Sequence, residues 1–127
     1  MYNISLITGD GIGPELSESV KTILDSIHDK LNVKFNVNSL EAGDIALEKT
    51  GKALPDDVLE SIKSSDARLK APVGESAKDV IVALRQKLDL YANIRPAKSY
   101  PNTPALRDDI DLVIVRENTE DLYTGQE

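Results

Sequence analysis

Two stretches, LRQKLDLYANIRP at Leu84–Pro96 and VIVRENTEDLY at Val113–Tyr123, decide how the rest of the chain is read. Val80, Ile81, Val82, Leu84 and Leu88 recur at helical spacing, so a helix is predicted from Asp79, as its cap or first residue, to about Leu88. Ala92–Arg95 then reads as extended. Pro96 to Asp109, with Pro101 and Pro104, reads as a loop. Asp111–Val115 (DLVIV) is the clearest strand in the chain. Helix followed by strand is the pattern of an α/β fold, and the residues upstream repeat it.

Working back to the N-terminus, Asn3–Thr8 carries Ile4, Leu6 and Ile7 and reads as a short buried strand. Gly9–Glu15 is the turn after it, with Pro14 at a first helical position and Glu15 near the positive end of the helix dipole. Leu16, Val20, Ile23, Leu24, Ile27 and Leu31 mark one apolar face of the helix that follows. Val33–Leu40 has strand period. Glu41–Thr50 is a short helix stopped by Gly51, and Pro55 opens another whose apolar side is Val58, Leu59 and Ile62. Ser64–Asp66 breaks that helix. Ala67–Ala71 is a short strand in which Arg68 is the odd residue, and Lys70–Glu75 runs into a loop. Strand–helix alternation from the first residue predicts an α/β fold with a mixed, largely parallel sheet.

The composition narrows the function. A net charge of −7 argues against nucleic acid and anionic membrane as partners, because both select a basic face. The absence of cysteine excludes a disulfide scaffold, a thiolate metal site and a cysteine nucleophile. Ile4–Thr8 is too short for a signal-peptide core, and no run approaches the roughly 18 apolar residues of a membrane helix. A soluble, cytoplasmic protein is expected. Tyr123–Glu127 follows a strong strand and closes nothing, which reads as a truncation.

Several patterns tempt a chemical reading. The spacing Gly9-x-Gly11-x-Gly13 fails the dinucleotide fingerprint, which needs glycine where Pro14 or Leu16 stands. The turn is either a plain tight turn or a helix start that presents N–H groups to an anion. Asp108, Asp109 and Asp111 are close in sequence, but an Asp-rich loop before a strand is ordinarily solvated surface. His28, the only histidine, flanks a helix face with no partner in reach and reads as a boundary residue. The arginines are better placed. Arg85 lies three and four residues after Val82 and Ile81, a cation beside an apolar patch. Arg95 and Arg116 each end an extended segment, and ligands of α/β sheets commonly sit beyond the carboxyl ends of strands. Each arginine–carboxylate bond contributes about 1.5–3 kcal/mol, so the set suits a small dicarboxylate. Ordinary surface ion pairs, worth about 0–1 kcal/mol each, fit the residues equally well. Tyr123, seven residues beyond Arg116, is either a proton relay or a packed phenol.

GDGIGPE at Gly9–Glu15, LKAPVGE at Leu69–Glu75, LRQKLDLYANIRPAKS at Leu84–Ser99 and DLVIVRENTEDLY at Asp111–Tyr123 together resemble the β-decarboxylating dehydrogenases, the isocitrate, 3-isopropylmalate and homoisocitrate enzymes. The resemblance runs nearly end to end, although members are much longer, so it implies an N-terminal portion of roughly a third. It implies a three-layer isocitrate/isopropylmalate dehydrogenase-like fold, distinct from the dinucleotide-fingerprint Rossmann fold and incomplete in this chain. Residues 1–97 would begin the large cofactor and substrate domain, and residues 98–127 the second, dimer-forming domain. By resemblance, Arg85, Arg95 and Arg116 grip the carboxylates of the malate moiety. Tyr123 is the acid that protonates the enol after carbon dioxide leaves. Ile12 and the loop residues Lys70, Ala71 and Pro72 lie near the nicotinamide of NAD or NADP. Mg²⁺ or Mn²⁺ is implied with all its ligands, and the catalytic lysine, outside this chain. A homodimer or higher homo-oligomer is implied, and an isolated fragment would be inactive.

The resemblance also bears on the acid. Isocitrate enzymes carry Ser and Asn six and four residues before the first arginine; here Asp79 and Ile81 stand there. Homoisocitrate enzymes tend to place arginine three residues before it, where this chain has Val82. Isopropylmalate enzymes present apolar residues, which Ile81 and Val82 fit. The expected substrate is therefore 3-isopropylmalate, a step of leucine biosynthesis, with isocitrate, homoisocitrate or a non-catalytic regulatory subunit as alternatives. Two departures stand out: Ala71 replaces a glycine common in relatives, and Arg68 occupies a strand that is apolar in them.

Overall fold

A computed structural model describes residues 1–120. It divides into two compact units, Met1–Leu84 and Arg85–Glu127. The first unit is built on three parallel strands, β1 (Tyr2–Ile7), β2 (Phe35–Leu40) and β3 (Ala67–Lys70), in the order β2-β1-β3. Ile4 pairs with Val37 on one side and Ala67 on the other. The central strand is buried from Ile4 to Ile7 on both faces, which is why its sequence is apolar without clean alternation.

Helix α1 (Gly13–Leu31) connects β1 to β2, and α2 (Asp44–Thr50) with α3 (Asp56–Lys63) connects β2 to β3. The first crossover steps from β1 to β2 and the second runs back past β1 to β3, in opposite directions across the sheet, so right-handed connections put their helices on opposite faces. The side chains agree. Leu6 lines a cavity with Leu16 and Val20 of α1, while its neighbour Ser5 donates to the carbonyl of Ser61 on α3 at 3.3 Å. This is the helix–sheet–helix layering that the family resemblance implies. Gly51 ends α2 in the left-handed conformation at φ 76°, as a glycine stop should. Val58, Leu59 and Ile62 of α3 are buried as expected.

Two sequence expectations change in this unit. The apolar face of α1 is not core: Gly13 and Ser17 are its buried residues, while Ile23 is 58% and Leu31 68% exposed. Small side chains bring the helix against the sheet, and no described residue covers the outer part of its stripe. The helix expected from Asp79 is also interrupted. Lys78–Val82 forms a π turn before α4 (Ala83–Lys87), so α-helical spacing around Arg85 holds only from Ala83 onward. Arg68 finds its explanation. It lies on the edge strand β3, and its guanidinium donates to the carbonyls of Ile62 (3.0 Å) and Lys63 (3.1 Å), closing the C-terminal end of α3.

The second unit holds an antiparallel pair, β4 (Asn93–Lys98) and β5 (Asp111–Arg116), with Lys98 opposite Asp111 and Asn93 opposite Arg116. Strand β4 runs through Pro96, where the sequence predicts loop. The Ser99 N–H donates to the carbonyl of Ile110 at 2.9 Å. Alternation from that pair puts Pro96 at a position whose nitrogen faces away from β5, where a missing donor costs nothing.

Candidate active site

At the carboxyl ends of β1 and β3, two loops meet. Gly9 and Gly11 take left-handed conformations at φ 66° and 56°. The Asp10 N–H donates to the Pro72 carbonyl at 2.8 Å, and the Ala71 N–H extends the sheet by donating to Ile7 at 2.9 Å. A side chain at Gly9 would strike the Pro72 carbonyl, so the turn needs glycine there for its space as well as its φ. Ile12 caps α1 and is 63% exposed beside this turn. Ile12, Lys70, Ala71 and Pro72 therefore share one end of the parallel sheet. Ala71 is buried rather than projecting, and the Lys70 ammonium donates to the Ala71 carbonyl at 2.9 Å. One turn donor is already committed, since the Gly13 N–H is bound by the Asp10 carbonyl at 2.8 Å.

Sequence reasoning missed the group that ties this end together. The Asp10 carboxylate, 8% exposed, accepts from the N–H groups of Asp44 (2.9 Å), Ile45 (3.0 Å) and Gly74 (3.0 Å). Asp44 in turn accepts from the N–H groups of Glu75 (3.0 Å) and Ser76 (2.8 Å) and from the Ser76 hydroxyl (2.5 Å). Burial opposes the ionised form of Asp10, but the three N–H donors win and hold its carboxyl below the usual carboxylate range. The Ser76 hydroxyl and the N–H groups of Ser76 and Glu75 do the same for Asp44. Asp44 in the first turn of α2 gave a local signal; the partners of Asp10, 34 to 64 residues away, gave none.

In the second unit the arginines take defined places. Arg85 lies on α4 and is half-buried. Arg95 is the third residue of β4, not its end, and Arg116 is the last of β5. The strands are antiparallel, so the rule of parallel carboxyl ends does not bring these two together; the register does. Asn93 faces Arg116, and Arg95 stands two residues along the same strand. Arg95 and Arg116 thus project from one face of the ladder as diagonal neighbours, roughly 7–8 Å apart at most between Cβ atoms. Both are exposed. Beyond Arg116 the chain folds tightly. The Glu117 carboxylate accepts from the N–H groups of Asn118 (2.7 Å), Thr119 (2.8 Å) and Glu120 (3.1 Å), which hold its carboxyl at about 2. Asn118 is buried and donates from Nδ2 to the Leu90 carbonyl at 3.1 Å. Tyr123 lies outside the described residues.

Ile81 and Val82 are half-buried in the π turn, between buried Val80 and Leu84. Two of the three aspartates Asp108, Asp109 and Asp111 are spent on cations: Asp109 forms a two-pronged pair with Arg107 (2.8 and 2.7 Å), and Asp111 pairs with Lys98 (2.7 Å). Among the described residues no group of three His, Cys, Asp or Glu is placed to hold a metal ion. His28 binds the Val33 carbonyl through Nδ1 at 3.1 Å, so that nitrogen carries the proton and the residue is structural. Among the described residues no helix is long and apolar enough to cross a membrane.

The family profile described as "Isocitrate/isopropylmalate dehydrogenase" matches residues 3–127. The chain is 54% identical to the 3-isopropylmalate dehydrogenase of Saccharolobus solfataricus, over 99% of this chain and 38% of that protein. It is 52% identical to the enzyme of the same name from Sulfurisphaera tokodaii, over 99% of this chain and 37% of that protein. Among solved structures it resembles the isocitrate dehydrogenase of Methylococcus capsulatus, with a TM-score of 0.82 and 42% identity, over 98% of this chain and 37% of that one. The chain thus spans a little over a third of the length of the proteins it matches.

Proposed function

Because the chain belongs to the isocitrate/isopropylmalate dehydrogenase family, we propose that the full-length protein oxidises a malate-type 2-hydroxy acid with NAD or NADP and releases its β-carboxylate as carbon dioxide. The observation that carries this reading is the shared face of Arg95 and Arg116. Two forked cations one diagonal step apart suit two carboxylates on adjacent carbons. Arg85 completes the proposed clamp. It holds the acid while the C2 hydroxyl becomes a ketone and the bond to the β-carboxylate then breaks. The Tyr123 hydroxyl gives its proton to the carbon that lost carbon dioxide.

The exposed surface of Ile12, Lys70 and Pro72 fits a flat ring at the strand ends, and NAD or NADP bound there supplies the hydride acceptor. Mg²⁺ or Mn²⁺ belongs to the proposal only through ligands outside the described residues. Ile81 and Val82 favour 3-isopropylmalate as the acid, since an apolar pair offers a further carboxylate no donor. A second reading, isocitrate, is favoured by the similarity to a solved isocitrate dehydrogenase. The domain division at residues 97 and 98 and a homo-oligomeric assembly complete the proposal.

The test is to assay the full-length protein with 3-isopropylmalate, isocitrate and homoisocitrate in parallel, each with NAD and NADP. A preference for 3-isopropylmalate is expected. A preference for isocitrate above about tenfold, some 1.4 kcal/mol, would overturn the assignment from Ile81 and Val82. No oxidation of any of the three, with bound acid, would leave the regulatory subunit.

A further inference from the structure

Six donors converge on two carboxylates at the end of the sheet, and donors and carboxylates together come from three separate segments. Asp10 belongs to the glycine turn, Asp44 to the start of α2, and the remaining donors to Gly74–Ser76. Gly43 and Gly74 make room for the pair: a Cβ at Gly43 would strike the Asp10 carboxylate, and one at Gly74 the Asp44 carboxylate. The loop Ala71–Ser76 is thereby held at both ends. Its start is hydrogen-bonded to Ile7 and Asp10, and its finish is bound to Asp44. The next turn hangs from the same loop, since Ala77 donates to Gly74 and Val80 to Ser76, each at 3.2 Å. That turn carries Ile81 and Val82.

A loop that meets a cofactor has to be rigid before the cofactor arrives, or binding must supply the ordering free energy. Loops are rarely fixed by their own apolar contacts, and this one exposes Pro72, Gly74 and Glu75. Backbone bonds fix its start, and its far end, Gly74–Ser76, is fixed by the two carboxylates. We infer that Asp10 and Asp44 are positioning residues, which hold the Lys70–Ser76 loop as a preformed wall and so set dinucleotide affinity. The inference rests on the proposal that this loop meets the nicotinamide.

The experiment compares the full-length wild type with Asp44→Asn, Asp10→Asn and, as a stability control, Val58→Ala. Val58 is buried in α3 and has no part in the loop. Dissociation constants for NAD and NADP are measured by calorimetry, which needs no turnover, and amide exchange is followed at Glu75 and Ser76. Asp44→Asn keeps the size of the side chain but sets an amide against the Glu75 N–H. It should weaken the preferred dinucleotide roughly 10- to 100-fold, the cost of a positioning group lost by about an ångström. Exchange at Glu75 and Ser76 should speed up, and kcat at saturating dinucleotide should hold. Val58→Ala should lower Tm and leave both affinity and Glu75 exchange unmoved. The inference is overturned if Asp44→Asn shifts affinity no more than Val58→Ala does, or if the wild type binds neither dinucleotide. A wild type that binds dinucleotide but oxidises none of the acids defeats the proposed activity instead, and the affinities of the variants still decide the positioning role.

Discussion

Arg95→Ala separates a binding arginine from a structural one. Arg95 is exposed, and among the described residues its guanidinium has no hydrogen bond or ion pair. Its removal from the full-length protein should change stability by no more than about 0.5 kcal/mol, the usual range for a surface substitution without a partner. If the guanidinium grips a substrate carboxylate, the same change removes about 1.5–3 kcal/mol of charge-assisted hydrogen bonding. At about 1.36 kcal/mol per factor of ten, that is a fall in kcat/KM of about 13- to 160-fold. Arg95→Lys should recover only part of it, because an ammonium cannot bind a carboxylate through a fork. Steady-state kinetics with 3-isopropylmalate, beside a denaturant titration of each variant, supplies both numbers. A fall below about threefold with stability intact would refute the clamp, given the size of a single charged hydrogen bond. A large loss of stability would refute the reading of Arg95 as unpartnered.

Tyr123→Phe should slow overall decarboxylation far more than it weakens substrate binding; a change confined to KM would contradict the acid role. Gly43→Ala, at φ 119° and against the Asp10 carboxylate, should destabilise by about 2 kcal/mol or more, and its effect should be non-additive with Asp10→Ala, which opens the space. The carboxyl of Glu117 is held at about 2 rather than 4.5, so its turn is stabilised above pH 4.5 and loses that contribution as pH falls toward 2. Carboxyl chemical shifts that titrate near 4.5 would show that the three N–H donors do not hold Glu117 in solution.

Local elements were legible because their causes are local. Pro14, Pro55 and Gly51 mark helix ends by fixed φ or by freedom from a Cβ, and they stand where expected. Pro96 misled because a proline in a strand is tolerated or forbidden by parity with a partner strand, and the partner lies a dozen and more residues away. The clustering of Arg95 and Arg116 was anticipated, but for a parallel-sheet reason that does not apply; antiparallel register brings them together. The face of α1 was readable as apolar, but not as exposed, because periodicity says which residues share a side and not what covers it. Asp10 looked like a turn residue, which it is; that it also binds two other segments was invisible without the fold.

The way Asp10 and Asp44 fit against Gly43 and Gly74 carries a consequence for descent. Each carboxylate occupies the volume that a methyl group would need at its glycine. Neither glycine is free to drift while its aspartate remains. Loss of Asp44 leaves a hole that a side chain at position 74 can fill, whereas Gly43 is held besides by its φ of 119°. Asp44 and Gly74 should therefore be inherited as a linked pair: across homologues, lineages that changed Gly74 should have changed Asp44, although 30 residues separate the two.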